Sequence, residues 1–124
     1  MFEVSADKTI HLTRGDIAVL EITSKLNKTE DLVFQVGDIV RFSICQYGKF
    51  DQVVLRKEVE IAEDTTVAVI NLTKTDTKIG DVIHKPKDYW YEVELNPDTM
   101  PQTLIGYDTA GPKVFRLYPE GDDS

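Results

Sequence analysis

The residues able to do chemistry are few and far apart. His11 and His84 are the only histidines and Cys45 is the only cysteine. A nucleophile needs a base and an orienting group beside it, and a zinc site needs ligands at short recurrent spacings. Neither histidine has such a neighbour in sequence, so each reads as a surface or half-buried strand residue. The metalloprotease helix, the serine elbow, the phosphate loop and the paired-cysteine motif are absent. No glycine-rich turn opens a helix that would cradle a phosphate. Asp98, Asp108, Asp122 and Asp123 are the carboxylates that a calcium ion at one end of a β fold would need. Their spacing departs from the calcium-loop pattern, and they read as solvated turn residues. The expectation is therefore no catalytic residue, no cofactor, no metal and no enzymatic activity. Cys45 closes the apolar run Val40–Cys45 and is expected to be buried and inert, because a free cysteine packs as a small hydrophobe.

Two motifs remain. Arg14-Gly15-Asp16 spells the tripeptide by which integrins recognise ligands. Gly-Asp also occurs at 37–38, 80–81 and 121–122, and the first three pairs precede Ile17, Ile39 and Val82. Glycine admits a turn with positive φ and aspartate bonds to nearby backbone, so the motif reads as a strand-entry turn. The second motif is Tyr89-Trp90-Tyr91. From Asp88 to Leu95 the chain alternates at a period of two. Tyr89, Tyr91, Val93 and Leu95 fall on an inner face, and Asp88, Trp90, Glu92 and Glu94 on an outer one. Tryptophan is enriched at binding hot spots. Trp90, Glu92 and Asp88 are thus the candidate partner-contact residues, unless a loop such as 24–31 or 79–86 folds over Trp90.

The elements that must position these residues are short strands. Thr9–Thr13, Ala18–Thr23, Ile39–Cys45, Gln52–Ile61, Thr66–Leu72, Asp88–Leu95, Gln102–Tyr107 and Lys113–Tyr118 are bounded by turn residues. Thr66–Leu72 is apolar on both faces and suggests a central strand. Thr73–Gly80 has room for one helical turn at about 74–80, capped by Thr75 or Asp76 and stopped by Gly80. Seven or eight strands at this spacing predict an all-β fold, an antiparallel two-layer immunoglobulin-like sandwich, with a small barrel as the other candidate. One domain is expected over residues 1–118, with 119–124 a frayed acidic tail.

Composition narrows the partners. The 22 acidic against 14 basic residues leave a net charge of -8. That argues against a non-specific nucleic-acid binder, which needs a basic stripe, and equally against an anionic membrane surface. No apolar run approaches the ~20 residues of a membrane-spanning helix, and the first residues lack a signal-peptide pattern. Export by the Sec route is therefore not expected.

The order of five stretches resembles a family. They are I-x-L-T-R-G-D (Ile10 to Asp16), V-G-D-I-V-R-F (Val36 to Phe42), L-T-K-x-D-T (Leu72 to Thr77), Y-W-Y-E-V-E-L (Tyr89 to Leu95), and T-L-I-G-Y-D with V-F-x-L (Thr103 to Leu117). Together they resemble the N-terminal domain of the baseplate upper protein family, structural proteins of phages and prophages of low-GC Gram-positive bacteria. Each stretch is common by itself; their order across nearly the whole chain carries the resemblance. It implies a non-enzymatic virion module that contacts other tail or baseplate subunits, with self-assembly left open. The chain departs from the family in having no long extension after Ser124 and a longer Ile79–Lys87 loop. A capsid decoration or head-fibre module and a carbohydrate-binding adhesion domain are the alternatives.

Overall fold

Alternation of apolar and polar residues sets the strands and their faces. In the computed structural model, which describes residues 1–121, nine strands and no helix are found among the described residues. They are β1 (Phe2–Val4), β2 (Ile10–Thr13), β3 (Ala18–Ile22), β4 (Ile39–Gln46), β5 (Lys49–Glu60), β6 (Ala68–Leu72), β7 (Lys87–Leu95), β8 (Gln102–Ile105) and β9 (Lys113–Tyr118). Seven strands form one sheet in the order β1-β2-β9-β7-β4-β5, with β8 beside the far end of β7. Pairing is antiparallel except between β2 and β9. The other two strands, β3 and β6, form a small sheet of their own. Its Leu20, Ile22, Ile70 and Leu72 share one core with Leu12, Phe42, Tyr91, Val93 and Phe115 of the large sheet. Phe34 and Ile79, from the long connections, complete that core. The fold is all-β and two-layered, as expected, but the layers are unequal.

The structure corrects four details. The ninth strand is β1, too short and too exposed to leave an alternation pattern. Thr66–Leu72 is no central strand: β6 pairs only with β3, and Val69 is 39% exposed. In β5 the weak alternation comes from a bulge. Ile44 faces Leu55 but Cys45 faces Val53, so the extra Val54 switches the outward side. The segment after β6 makes the one turn expected, with Thr77 N–H bonded to Thr73 C=O at 3.2 Å, but neither Thr75 nor Asp76 is its cap. Thr73 is its cap. Thr73 Oγ1 accepts the Asp76 N–H at 3.1 Å while Asp76 accepts the Thr73 N–H at 2.9 Å, a reciprocal box.

The Gly-Asp turns are built as the sequence suggests at the first two positions. Asp16 N–H bonds Thr13 C=O and Asp38 N–H bonds Gln35 C=O, at 3.0 and 2.9 Å. Gly15 and Gly37 take φ values of +87° and +92°, and β3 and β4 begin three and two residues later. Gly80 also has positive φ, but no strand follows until Lys87. Asp122 lies outside the described residues. Thr77, fully buried, clamps the first turn by accepting the Gly15 N–H and donating to the Asp16 C=O, at 3.0 and 2.8 Å.

Glu120, within the stretch expected to be a frayed tail, packs near the body of the fold. Glu120 lies within 3.8 Å of both Arg14 and Lys78, its side chain 17% exposed. Residues 122–124, the rest of the expected frayed tail, lie outside the described residues.

Candidate partner-contact surface

On β7 the period of two places Tyr89, Tyr91, Val93 and Leu95 in the core and Asp88, Trp90, Glu92 and Glu94 on the outer face. Trp90 lies opposite Cys45 of β4 and Val114 of β9. Its ring does not stand bare. Phe50 approaches it at 4.9 Å between centroids, Tyr47 at 5.4 Å and Tyr107 at 6.0 Å. Tyr47 and Phe50 flank the tight β4–β5 turn, where Gly48 has a φ of +78°. Tyr107 comes from the β8–β9 connection. The loops 24–31 and 79–86 supply none of these rings. The result is a four-ring patch in which Tyr47 and Tyr107 are 58% and 63% exposed. Beneath it Trp90 Nε1 is buried with no hydrogen-bond partner. An indole N–H in that position costs free energy until it meets an acceptor.

The other two candidates lie on the same face in different states. Asp88 is already committed: Arg116 donates to it twice, Nε to Oδ1 at 2.7 Å and Nη2 to Oδ2 at 3.2 Å. That fork raises the Arg116 pKa, Asp88 being the cause. Glu92 sits between Ser43 of β4 and the backbone at Gly106. Burial raises its pKa, Glu94 adds to the rise, and Arg56 opposes it. A carboxyl with a raised folded pKa favours folding below its unfolded value, near 4.5, and loses that contribution as pH rises through the folded value. Glu92→Gln should therefore be more stable than the parent at pH 7. The advantage should shrink to nothing as pH falls below about 4.5; urea midpoints at pH 7 and 3.5 test this, and an equal gap at both would refute it.

Cys45 is fully buried under this patch, its thiol pKa pushed up by burial, its Sγ 3.5 Å from the Phe50 carbonyl. His11 has partners that its own neighbourhood does not reveal. Nδ1 lies 2.7 Å from Tyr118 Oη and Nε2 2.6 Å from Ser5 Oγ. Only the pairing of β2 with β9 brings Tyr118 there. A phenol, not a carboxylate, orients the imidazole, and Ser5 is on open surface. The arrangement ties the β1–β2 turn to β9. Asp98 bonds Arg41 and Asp108 bonds Lys113, each at 2.8 Å. Among the described residues no group of three His, Cys, Asp or Glu is placed to hold a metal. Asp122 and Asp123 lie outside the described residues.

Comparison with protein-family models, with curated proteins and with solved structures finds no match for this chain.

Proposed function

We propose that this chain is a non-enzymatic structural module of a phage or prophage virion, which joins other tail or baseplate subunits through the patch around Trp90. The observation that carries the reading is the patch itself: two largely exposed tyrosines over a tryptophan whose indole N–H is buried and unpaired. Clustered aromatic rings with exposed edges suit the centre of a protein interface. The rim offers Glu92 as an acidic contact, while Asp88 serves by holding Arg116. The immunoglobulin-like reading is supported by strand order. With β3 and β6 as strands B and E, and β2, β9, β7, β4 and β5 as A′, G, F, C and C′, the pairings follow that architecture. The order of motifs along the chain supports the phage reading. The virion is then its place of work and the host cytoplasm its place of folding, with no nucleic-acid or membrane partner.

The test is incorporation. The chain is tagged in a bacterium carrying it within an inducible prophage, and particles are purified on a density gradient. The chain should accompany tails at fixed stoichiometry. Tyr47→Ser with Tyr107→Ser, which removes two of the three rings around Trp90, should lower incorporation at least tenfold while costing no more than about 1–2 kcal/mol of stability. Trp90→Ala should do the same but lose about 1–3 kcal/mol of stability, because three ring contacts go with it. Absence of the chain from particles would sink the proposal. Presence only on tail-free heads would favour a capsid decoration. Sugar binding abolished by Trp90→Ala would favour an adhesion domain.

A further inference from the structure

The small sheet stops short. Among the described residues β3 pairs only with β6, and no strand is hydrogen-bonded to its other edge. Directly beside that edge is an apolar recess. Its floor is Phe42, Tyr91 and Val93 of the large sheet; Leu20 and Ile22 of β3 line it together with Phe2 and Val4 of β1. The recess measures about 90 Å³, far below the ~300–1000 Å³ of a small-molecule pocket and suited to one or two aliphatic side chains.

Sheets usually protect their edges with charge, bulges or brevity. β5, the long edge of the large sheet, carries Lys49, Lys57, Glu58 and Glu60 and a bulge. β1 at the other edge has three residues, and β6 lies against β5. β3 has no bulge and a single charge, Glu21. Ile17 and Val19, at its outward side, are 71% and 49% exposed.

We infer that β3 accepts a strand from a partner protein, an extended segment that completes the small sheet and drops alternate apolar side chains into the recess. Backbone pairing would give affinity and the recess would select the side chains. The occupant's charge follows from the wall. Glu21 is the only charged residue lining the recess, so the incoming strand carries a lysine or arginine where it passes Glu21. A second copy of this chain is disfavoured, since each copy bears a net charge of -8. This surface is separate from the Trp90 patch and stands or falls without it.

The test joins an octapeptide of alternating valine and threonine, with lysine at both ends, to the end of the full chain. A glycine–serine linker of about 20 residues gives it millimolar effective concentration. The peptide should raise the melting temperature by roughly 5 °C. It should slow hydrogen exchange at least tenfold at the β3 amides that point away from β6. Its scrambled counterpart, with the valines contiguous, should do neither. Glu21→Lys should cancel the gain, and glutamates in place of the peptide lysines should restore it. Tyr47→Ser with Tyr107→Ser should leave the gain intact, which separates this inference from the proposed patch. No stabilisation by the fused strand, protection on β5 instead, or β3 already protected in a concentration-dependent dimer of the unfused chain would each overturn it.

Discussion

Tyr91→Ala should cost about 3–5 kcal/mol, the range for truncating a large buried aromatic. A domain of this size has only about 5–15 kcal/mol in hand, so urea unfolding should move to a much lower midpoint. The ring is 2% exposed and packs 5.7 Å from Phe42 across the β4–β7 pair. Its hydroxyl donates to the Lys8 carbonyl and fixes the turn between β1 and β2. In that turn Lys8 itself takes a φ of +69°, and its N–H bonds Ser5 C=O at 2.9 Å. Tyr91→Phe keeps the ring and strands the carbonyl, so about 1–2 kcal/mol should be lost. Burial raises the hydroxyl pKa well above the tyrosine range, with Asp7 adding to the rise. The unfolded phenol ionises near 10. Stability from this group is complete below that pH and is lost as pH rises toward the folded value. The parent should therefore lose more stability than Tyr91→Phe between pH 9 and 11. An unchanged urea midpoint in Tyr91→Ala would show that the inner face of β7 is not the core.

Arg14→Met should cost about 2–4 kcal/mol, although the change adds apolar character at a buried position. Arg14 is 8% exposed. Nη2 donates to the Gly80 carbonyl at 2.8 Å and Nε to the Ile79 carbonyl at 3.5 Å, with Glu120 within 3.8 Å of Nη1. Methionine fills much of the volume but leaves two carbonyls without their donor and Glu120 without one of its two neighbouring cations. Arg14→Lys keeps the charge and should recover about half, because an ammonium cannot span both carbonyls as the guanidinium fork does. A thermal melt of the three proteins decides it; equal stability would mean the carbonyls find water instead. The same geometry disposes of the integrin reading. A ligand tripeptide must offer its arginine to a receptor, and this one is spent inside the fold.

The reach of the sequence follows from what period two encodes. It assigns each β7 side chain to a face, so Tyr91 is correctly inside and Trp90 correctly outside. It does not say what lies across that face. Tyr47, Phe50 and Tyr107 come from two turns, and their convergence on Trp90 depends on the β4–β7 and β4–β5 pairings. Asp88 was legible as an outer-face carboxylate, but its neutralisation by Arg116 depends on β7 pairing with β9. Glycine and aspartate marked the entries to β3 and β4 because those turns are local. β6 misled because an apolar outer face usually means burial on both sides. Here Val69 faces outward on a two-stranded sheet that covers only part of its neighbour.

The parallel ladder between β2 and β9 has a kinetic consequence. It sets Ile10 beside Phe115 and Leu12 beside Leu117, so the first part of the chain must wait for the last before that edge can close. Loop closure over such separations is entropically slow, and all-β chains dominated by distant pairings fold in about milliseconds to seconds. During synthesis from the N-terminus, Leu12 has no neighbour on that side until β9 leaves the ribosome. Closure of this edge therefore waits until β9 has emerged.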